Sequence, residues 1–181
     1  SNQVILLLAI GLIFGISYTT PPLKFSYRGL GEIDVALIHG FYVIICGYVF
    51  QKGLMDMPII WPISIPIFFS SLAGVSLGGI LDLESDRSAS KKSIAVKIGP
   101  KNTILISLVC SLIVGIFGIY LYYFFTLMQF NYLYLLLPIY SLFLSCILLS
   151  KIKSEKQGAE ISKLIFGAMI LIALSSFIPV I

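Results

Sequence analysis

Five stretches of the chain carry no Asp, Glu, Lys or Arg: 1–23, 35–51, 57–81, 102–150 and 164–181. A bilayer core is crossed by about 20 apolar residues in a helix, so each stretch is long enough for at least one crossing. The fourth, as a single helix, would extend roughly 70 Å, more than twice the hydrocarbon thickness. It has to turn back, and Gln129-Phe130-Asn131 is its most polar point. The pattern predicts six transmembrane helices, at 3–19, 33–51, 59–81, 102–125, 132–150 and 162–180. No soluble domain, low-complexity tail or internal repeat interrupts them.

Composition agrees. Of 181 residues, 59% are apolar and only 11% charged, against roughly 25% charged in a soluble domain. With a mean hydropathy of +1.05, a water-soluble globule and intrinsic disorder are both excluded. The expected class is an all-α polytopic membrane protein. Cys46, Cys110 and Cys146 lie in apolar stretches without CxxC spacing or clustered histidines, and read as small buried hydrophobes. The chain opens at Ser1, inside an apolar run and without a basic leader. That is the expectation for a polypeptide that starts part-way through a longer one.

The charges are placed unevenly. Lys24 and Arg28 fall in the first connection, Arg87, Lys91, Lys92, Lys97 and Lys101 in the third, and Lys151, Lys153, Lys156 and Lys163 in the fifth. The second and fourth hold Lys52 alone. The positive-inside rule therefore assigns the odd connections to the cytoplasm, in a multi-pass plasma-membrane protein. The net charge of +4 is accounted for by this topology, and no nucleic-acid partner is expected.

Ionisable groups inside membrane proteins mark function by default. Here they gather at the cytoplasmic ends of the first and third spans. His39 is the one residue at a depth suited to ion passage, and a lone histidine in a bundle reads as packed and hydrogen-bonded. Asp82 and Asp86, four apart, project from one helical face. Two carboxylates at that spacing suit Mg²⁺, which keeps several waters and bridges to substrate phosphates. Lys91 and Lys92 follow one or two turns later, placed to neutralise phosphate charge. The alternative is an acidic helix end followed by lysines as an ordinary membrane interface. In the first connection Pro21-Pro22 ends the first helix, and Gly29 and Gly31 permit a tight reversal. Lys24 and Arg28 are thereby held in a short turn, either as part of a site or as interfacial anchors. Gly11-x-x-x-Gly15 and Gly74-x-x-x-Gly78 read as helix-packing motifs.

Together, Tyr18…Pro21-Pro22-Leu23-Lys24…Arg28-Gly29-Leu30-Gly31-Glu32 and Asp82-x-x-x-Asp86 followed by Ser90-Lys91-Lys92-Ser93-Ile94-Ala95-Val96…Gly99 resemble the UbiA-type superfamily of intramembrane prenyltransferases. The likeness is strongest to the branch that prenylates 1,4-dihydroxy-2-naphthoate for menaquinone. It spans 1–181 as one prenyltransferase domain and implies helices four to nine of a nine-helix bundle. Ser90 and Ser93 stand where the family has glycine and threonine. The family's first aspartate-rich motif has no counterpart here, so this chain by itself is expected to be inactive.

The resemblance implies a Mg²⁺-dependent transfer of a polyprenyl group from an allylic diphosphate to an aromatic acceptor, with the diphosphate at the cytoplasmic mouth and the tail in the lipid bilayer. Asp82 and Asp86 would ligate the metal and Lys24 and Tyr18 would act in catalysis. Arg28, Lys91 and Lys92 would bind diphosphate. Two other functions fit the same residues: the same chemistry on a hydroxybenzoate, homogentisate, haem or lipid acceptor, or a non-catalytic membrane protein or transporter.

Overall fold

The computed structural model describes residues 2–52, 57–124, 131–152 and 161–177. Among them there is no strand. Helix α1 spans Asn2–Ser17, and the one-turn α2 spans Phe25–Arg28. Helix α3 (Gly31–Leu37) passes through a π-turn at Ile38–Tyr42 into α4 (Val43–Lys52). Then come α5 (Met57–Leu81), the short α6 (Leu83–Ser88) and the long α7 (Ile94–Phe124). A 3₁₀ turn at Asn131–Leu135 leads into α8 (Leu136–Ile152), and α9 covers Ile161–Phe177. Four helical stretches are long and apolar enough to cross a membrane: Gly31–Gln51, Ile60–Leu81, Ile94–Phe124 and Tyr132–Lys151. Val4–Ser17 and Ile161–Ser175 are shorter apolar helices. Over their described residues the six segments expected to span are helical, except that the first ends at Ser17, before Tyr18-Thr19. The turn expected at Gln129-Phe130 lies outside the described residues.

Helix α7 begins at Ile94 rather than near residue 102, for a local reason. Gly99 has φ 81° and ψ 164°, which breaks the helix just before Pro100. The spanning part starts at that proline, a position where a missing N–H costs nothing. Its first turn is closed by side chains: Thr103 Oγ1 donates to the Gly99 carbonyl at 2.8 Å and Asn102 Nδ2 to that of Ile98 at 2.9 Å.

Helix α5 is the hub, packed against α7, α9 and the α3–α4 rod. Its Ile60, Ile67, Ala73 and Leu77 are buried, together with Ile104 and Val114 of α7, Leu144 and Leu148 of α8 and Leu164 and Leu171 of α9. Because lipid tails are as apolar as leucine, close fit and interhelical hydrogen bonds have to hold such a bundle. The buried serines supply part of this. Ser107 Oγ donates to the Ala73 carbonyl at 3.1 Å, joining α7 to α5. Ser141 Oγ donates to the Ser111 carbonyl, joining α8 to α7. The outer surface is apolar, with Leu12, Ile116, Ile139 and Phe166 all exposed, as suits a lipid environment.

Four expectations need correction. Gly11 meets Tyr42, whose hydroxyl donates to the Leu7 carbonyl at 2.8 Å, and Gly74 packs against Ile172 and Ala168 of α9. Gly15 and Gly78, however, have open space where a Cβ would project. Each small-residue motif therefore packs through only one of its glycines. Cys46 and Cys110 are buried, but Cys146 lies on the exposed face of α8. His39 is exposed rather than packed, and its Nδ1 bonds the Val35 carbonyl at 2.8 Å on its own helix.

The tightest crossing is at Gly40, inside the π-turn. A Cβ there would lie 2.6 Å from the Cα of Phe68, and a backbone atom cannot swing aside. Gly40→Ala is expected to destabilise the protein by about 1–3 kcal/mol, read as a lowered midpoint of thermal unfolding in detergent. Gly47→Ala, with nothing within 4 Å of the new methyl, should leave the midpoint unchanged.

Candidate functional site

At the end of α5 that carries the basic connections, a cavity of about 220 Å³ opens between α1, α3, α5 and α6. Its walls are Tyr18, Ser26, Gly31, Glu32, Val75, Gly78, Gly79, Asp82, Asp86, Lys91 and Ser93. This is smaller than the roughly 300–1,000 Å³ that encloses a drug-sized ligand. It is sized for a polar head group.

The two aspartates reach this space by continuation of α5. The helix falters at Asp82 (φ −88°, ψ 7°), which becomes the residue before α6. The Asp86 amide still donates to the Asp82 carbonyl at 2.7 Å, so one helical turn separates the two side chains and both line the cavity. Asp82 is exposed while Asp86 is only 9% exposed. The Lys91 ammonium sits 3.4 Å from Asp86 Oδ1, and the Lys91 amide donates to the Asp86 carbonyl at 2.9 Å. Ser90, at φ 58°, turns the chain back so that lysine faces aspartate.

The opposite wall is built by the first connection. Beyond α1 the chain reverses at Pro21-Pro22, and Ser26 then ties back to the Tyr18 carbonyl through its amide (3.0 Å) and its hydroxyl (2.8 Å). This fixes Tyr18 in the wall. Burial pushes the Tyr18 phenol above its usual range, with Glu32, Asp86 and Asp34 adding to the rise and Lys91 opposing it.

Three bonds clamp the two connections together. Glu32 Oε1 accepts the Ile94 amide, the first of α7, at 2.6 Å. The Lys92 amide donates to the Ser26 carbonyl at 3.2 Å, and Lys97 Nζ to the Arg28 carbonyl at 3.0 Å. A carboxylate at a helix N-terminus satisfies an orphan donor and meets the positive end of the dipole. Gly29 lies under this clamp at φ 81°, where a Cβ would come within 2.8 Å of the Lys92 carbonyl oxygen.

Of the residues singled out from the sequence, Tyr18, Asp82, Asp86 and Lys91 share the cavity. Lys24, Arg28 and Lys92 are exposed and outside its walls. Lys24 Nζ stands 5.5 Å from the Tyr27 ring centroid, and Arg28 donates to the Pro22 carbonyl at 2.8 Å. Glu32, Ser26 and Ser93 were given no role in a site, and Gly78 was read as a packing residue. For Glu32 a signal existed: it lies in the first turn of a membrane-spanning helix, where a charge is expensive. The same signal marks Asp34, 4% exposed, whose carboxylate oxygens find no hydrogen-bond partner among the described residues.

Two carboxylates facing open space, one already beside a lysine, are a donor set for a hard cation that takes its remaining ligands from water and phosphate. Among the described residues no three His, Cys, Asp or Glu side chains converge to hold a metal by themselves. The set fits a metal shared with a ligand, not an all-protein cage.

A model described as the UbiA prenyltransferase family matches residues 1–172. Among curated proteins, the UbiA prenyltransferase domain-containing protein 1 of Dictyostelium discoideum is 30% identical over 94 residues, 52% of this chain and 28% of that protein. The 1,4-dihydroxy-2-naphthoate octaprenyltransferase of Haemophilus influenzae is 29% identical over 90 residues, 50% of this chain and 29% of that one. The 2-carboxy-1,4-naphthoquinone phytyltransferase of Synechocystis is 29% identical over 104 residues, 54% of this chain and 32% of that one. The matched stretches thus span about a third of the length of these relatives. No solved structure matches the chain.

The clamp yields a direct test. Glu32→Ala is expected to cost about 1.5–3 kcal/mol, the range for a hydrogen bond to a charged group, and to accelerate hydrogen exchange at the Ile94 amide. Glu32→Gln, which keeps an acceptor oxygen, should recover most of both.

Proposed function

Because the chain belongs to the UbiA prenyltransferase family, we propose that it transfers a polyprenyl group from an allylic diphosphate to 1,4-dihydroxy-2-naphthoate. That an enzyme of this family is a prenyltransferase rests on the match itself. The naphthoate acceptor draws on the likeness to the 1,4-dihydroxy-2-naphthoate octaprenyltransferase of Haemophilus influenzae. The observation that carries the reading is the convergence of Asp82, Asp86 and Lys91 on one head-group-sized cavity at the basic end of the bundle.

Asp82 and Asp86 would hold Mg²⁺, which when bound supplies positive charge to the diphosphate. The protein's own groups do the rest. Lys91, already beside Asp86, meets the charge that develops on the departing diphosphate. The Tyr18 hydroxyl is a hydrogen-bond donor in the wall of the same space. The allylic C–O bond breaks with its electron pair going to diphosphate. A ring carbon of the acceptor then bonds to the allylic carbon, and the ring proton leaves to restore aromaticity. Gly78, with no atom in the path of a Cβ, keeps the cavity open beside Asp82. Lys24, Arg28 and Lys92, outside the walls, act at longer range on the approach of the anionic head. The basic connections face the cytoplasm of a plasma membrane, where a water-soluble diphosphate leaving group is released.

Protein expressed from its full reading frame should, with Mg²⁺, convert a labelled allylic diphosphate and 1,4-dihydroxy-2-naphthoate into prenylated product. Asp82→Ala should lower turnover by two orders of magnitude or more. Wild-type turnover in that variant would remove the assignment, and a panel containing hydroxybenzoate and homogentisate fixes the acceptor. Gly78→Leu should block turnover while leaving thermal stability unchanged, since the new side chain enters open space.

A further inference from the structure

Helices α8 and α9 part toward their basic ends and leave a groove of about 370 Å³, none of whose lining residues is shared with the cavity at Asp82. Its floor is apolar: Leu144 is 1% exposed and Leu164 2% exposed. Phe143 and Phe166, exposed at 60% and 65%, stand as its rims. The inner end is closed where Tyr140 donates to the Gly167 carbonyl at 3.1 Å, with Leu144 packed against Gly167. The outer end is lined by Lys151 from α8 and Lys163 from α9. From Leu144 to Lys151 the helix rises roughly 10 Å. The groove therefore runs from head-group depth into the hydrocarbon.

We propose that this groove binds an anionic phospholipid, with one acyl chain along the Leu144–Ile147 floor and the phosphate and glycerol head between Lys151 and Lys163. The charge pattern selects the occupant. A zwitterionic head brings its own ammonium to two lysines, whereas an anionic head brings only negative charge, and basic pockets between membrane helices are suited to such heads. A polyprenyl diphosphate is disfavoured because, among the described residues, no aspartate or glutamate lines this groove to share a divalent cation, unlike the cavity at Asp82. The site is separate from catalysis and goes beyond it.

Native mass spectrometry of the detergent-solubilised protein, with equal amounts of palmitoyl-oleoyl phosphatidylglycerol and phosphatidylcholine, tests this. The wild type should retain the glycerol lipid over the choline lipid by on the order of ten-fold, given about 1 kcal/mol per basic residue near the surface. Lys163→Gln should cut that preference several-fold, Lys151→Gln with Lys163→Gln should abolish it, and Lys163→Arg should restore it. Lys101→Gln removes the same charge from the same face outside the groove and should have no effect. Equal loss in Lys101→Gln and Lys163→Gln, or no loss in the double variant, would overturn the site. So would displacement of the glycerol lipid by geranylgeranyl diphosphate in Asp82→Ala, whose own diphosphate site is disabled. Failure of prenyl transfer would leave these outcomes unchanged.

Discussion

The cavity exists because a buried carboxylate reaches across from one connection to the other. Glu32, 5% exposed, takes the Ile94 amide at the start of α7, and in an environment poor in water that bond has no good substitute. It holds the 91–97 segment against the 26–32 segment, which in turn aims Lys91 at Asp86. Without it, α7 would begin with an unsatisfied donor and α3 would carry a buried charge with no donor, each a substantial penalty. The three cross-connection bonds, Gly29 beneath them and the Ser26 anchor on Tyr18 all serve the same closure.

Elsewhere in the bundle several polar side chains follow the rule that membranes impose and find partners inside the protein, Asp34 being an exception among the described residues. Serines on α7 and α8 donate to carbonyls across helix interfaces, and His39 bonds its own helix. The ends of helices, where donors and acceptors go unpaired, are brought together at one face, and the charged residues are spent there. Placement of catalytic-type side chains at that face follows from the same economy. A cavity at the boundary between water and lipid suits a ligand with a charged head and an apolar tail.

Much of the fold was legible because charge is so rare in the chain. Uncharged runs located the four long apolar helices and the two shorter ones among the described residues, and Asp82 and Asp86 stood out as acids at a helix end. The residues that escaped notice did so for physical reasons. Glu32 looked like part of a connection, because nothing in its neighbours' polarity announces a bond to a residue sixty positions away. Lys24 and Arg28 share the turn that shapes the wall, yet their side chains point out of it, and direction within a tight turn is set by backbone angles such as the φ of 46° at Lys24. Gly78 was read as a packing residue because a glycine that makes room for a helix and one that makes room for a ligand are written with the same letter. The start of α7 was placed late because Gly99-Pro100 ends one helical piece and begins another.

That break carries a mechanical consequence. The five residues before it bear Ile94 and Lys97, which belong to the clamp, while everything after Pro100 is a rod embedded in the bilayer. A glycine at positive φ followed by an imide nitrogen lets the two pieces of α7 point in different directions, so the aim of the jaw formed by the first piece is set by the opposing loop that bonds it and not by the axis of the rod.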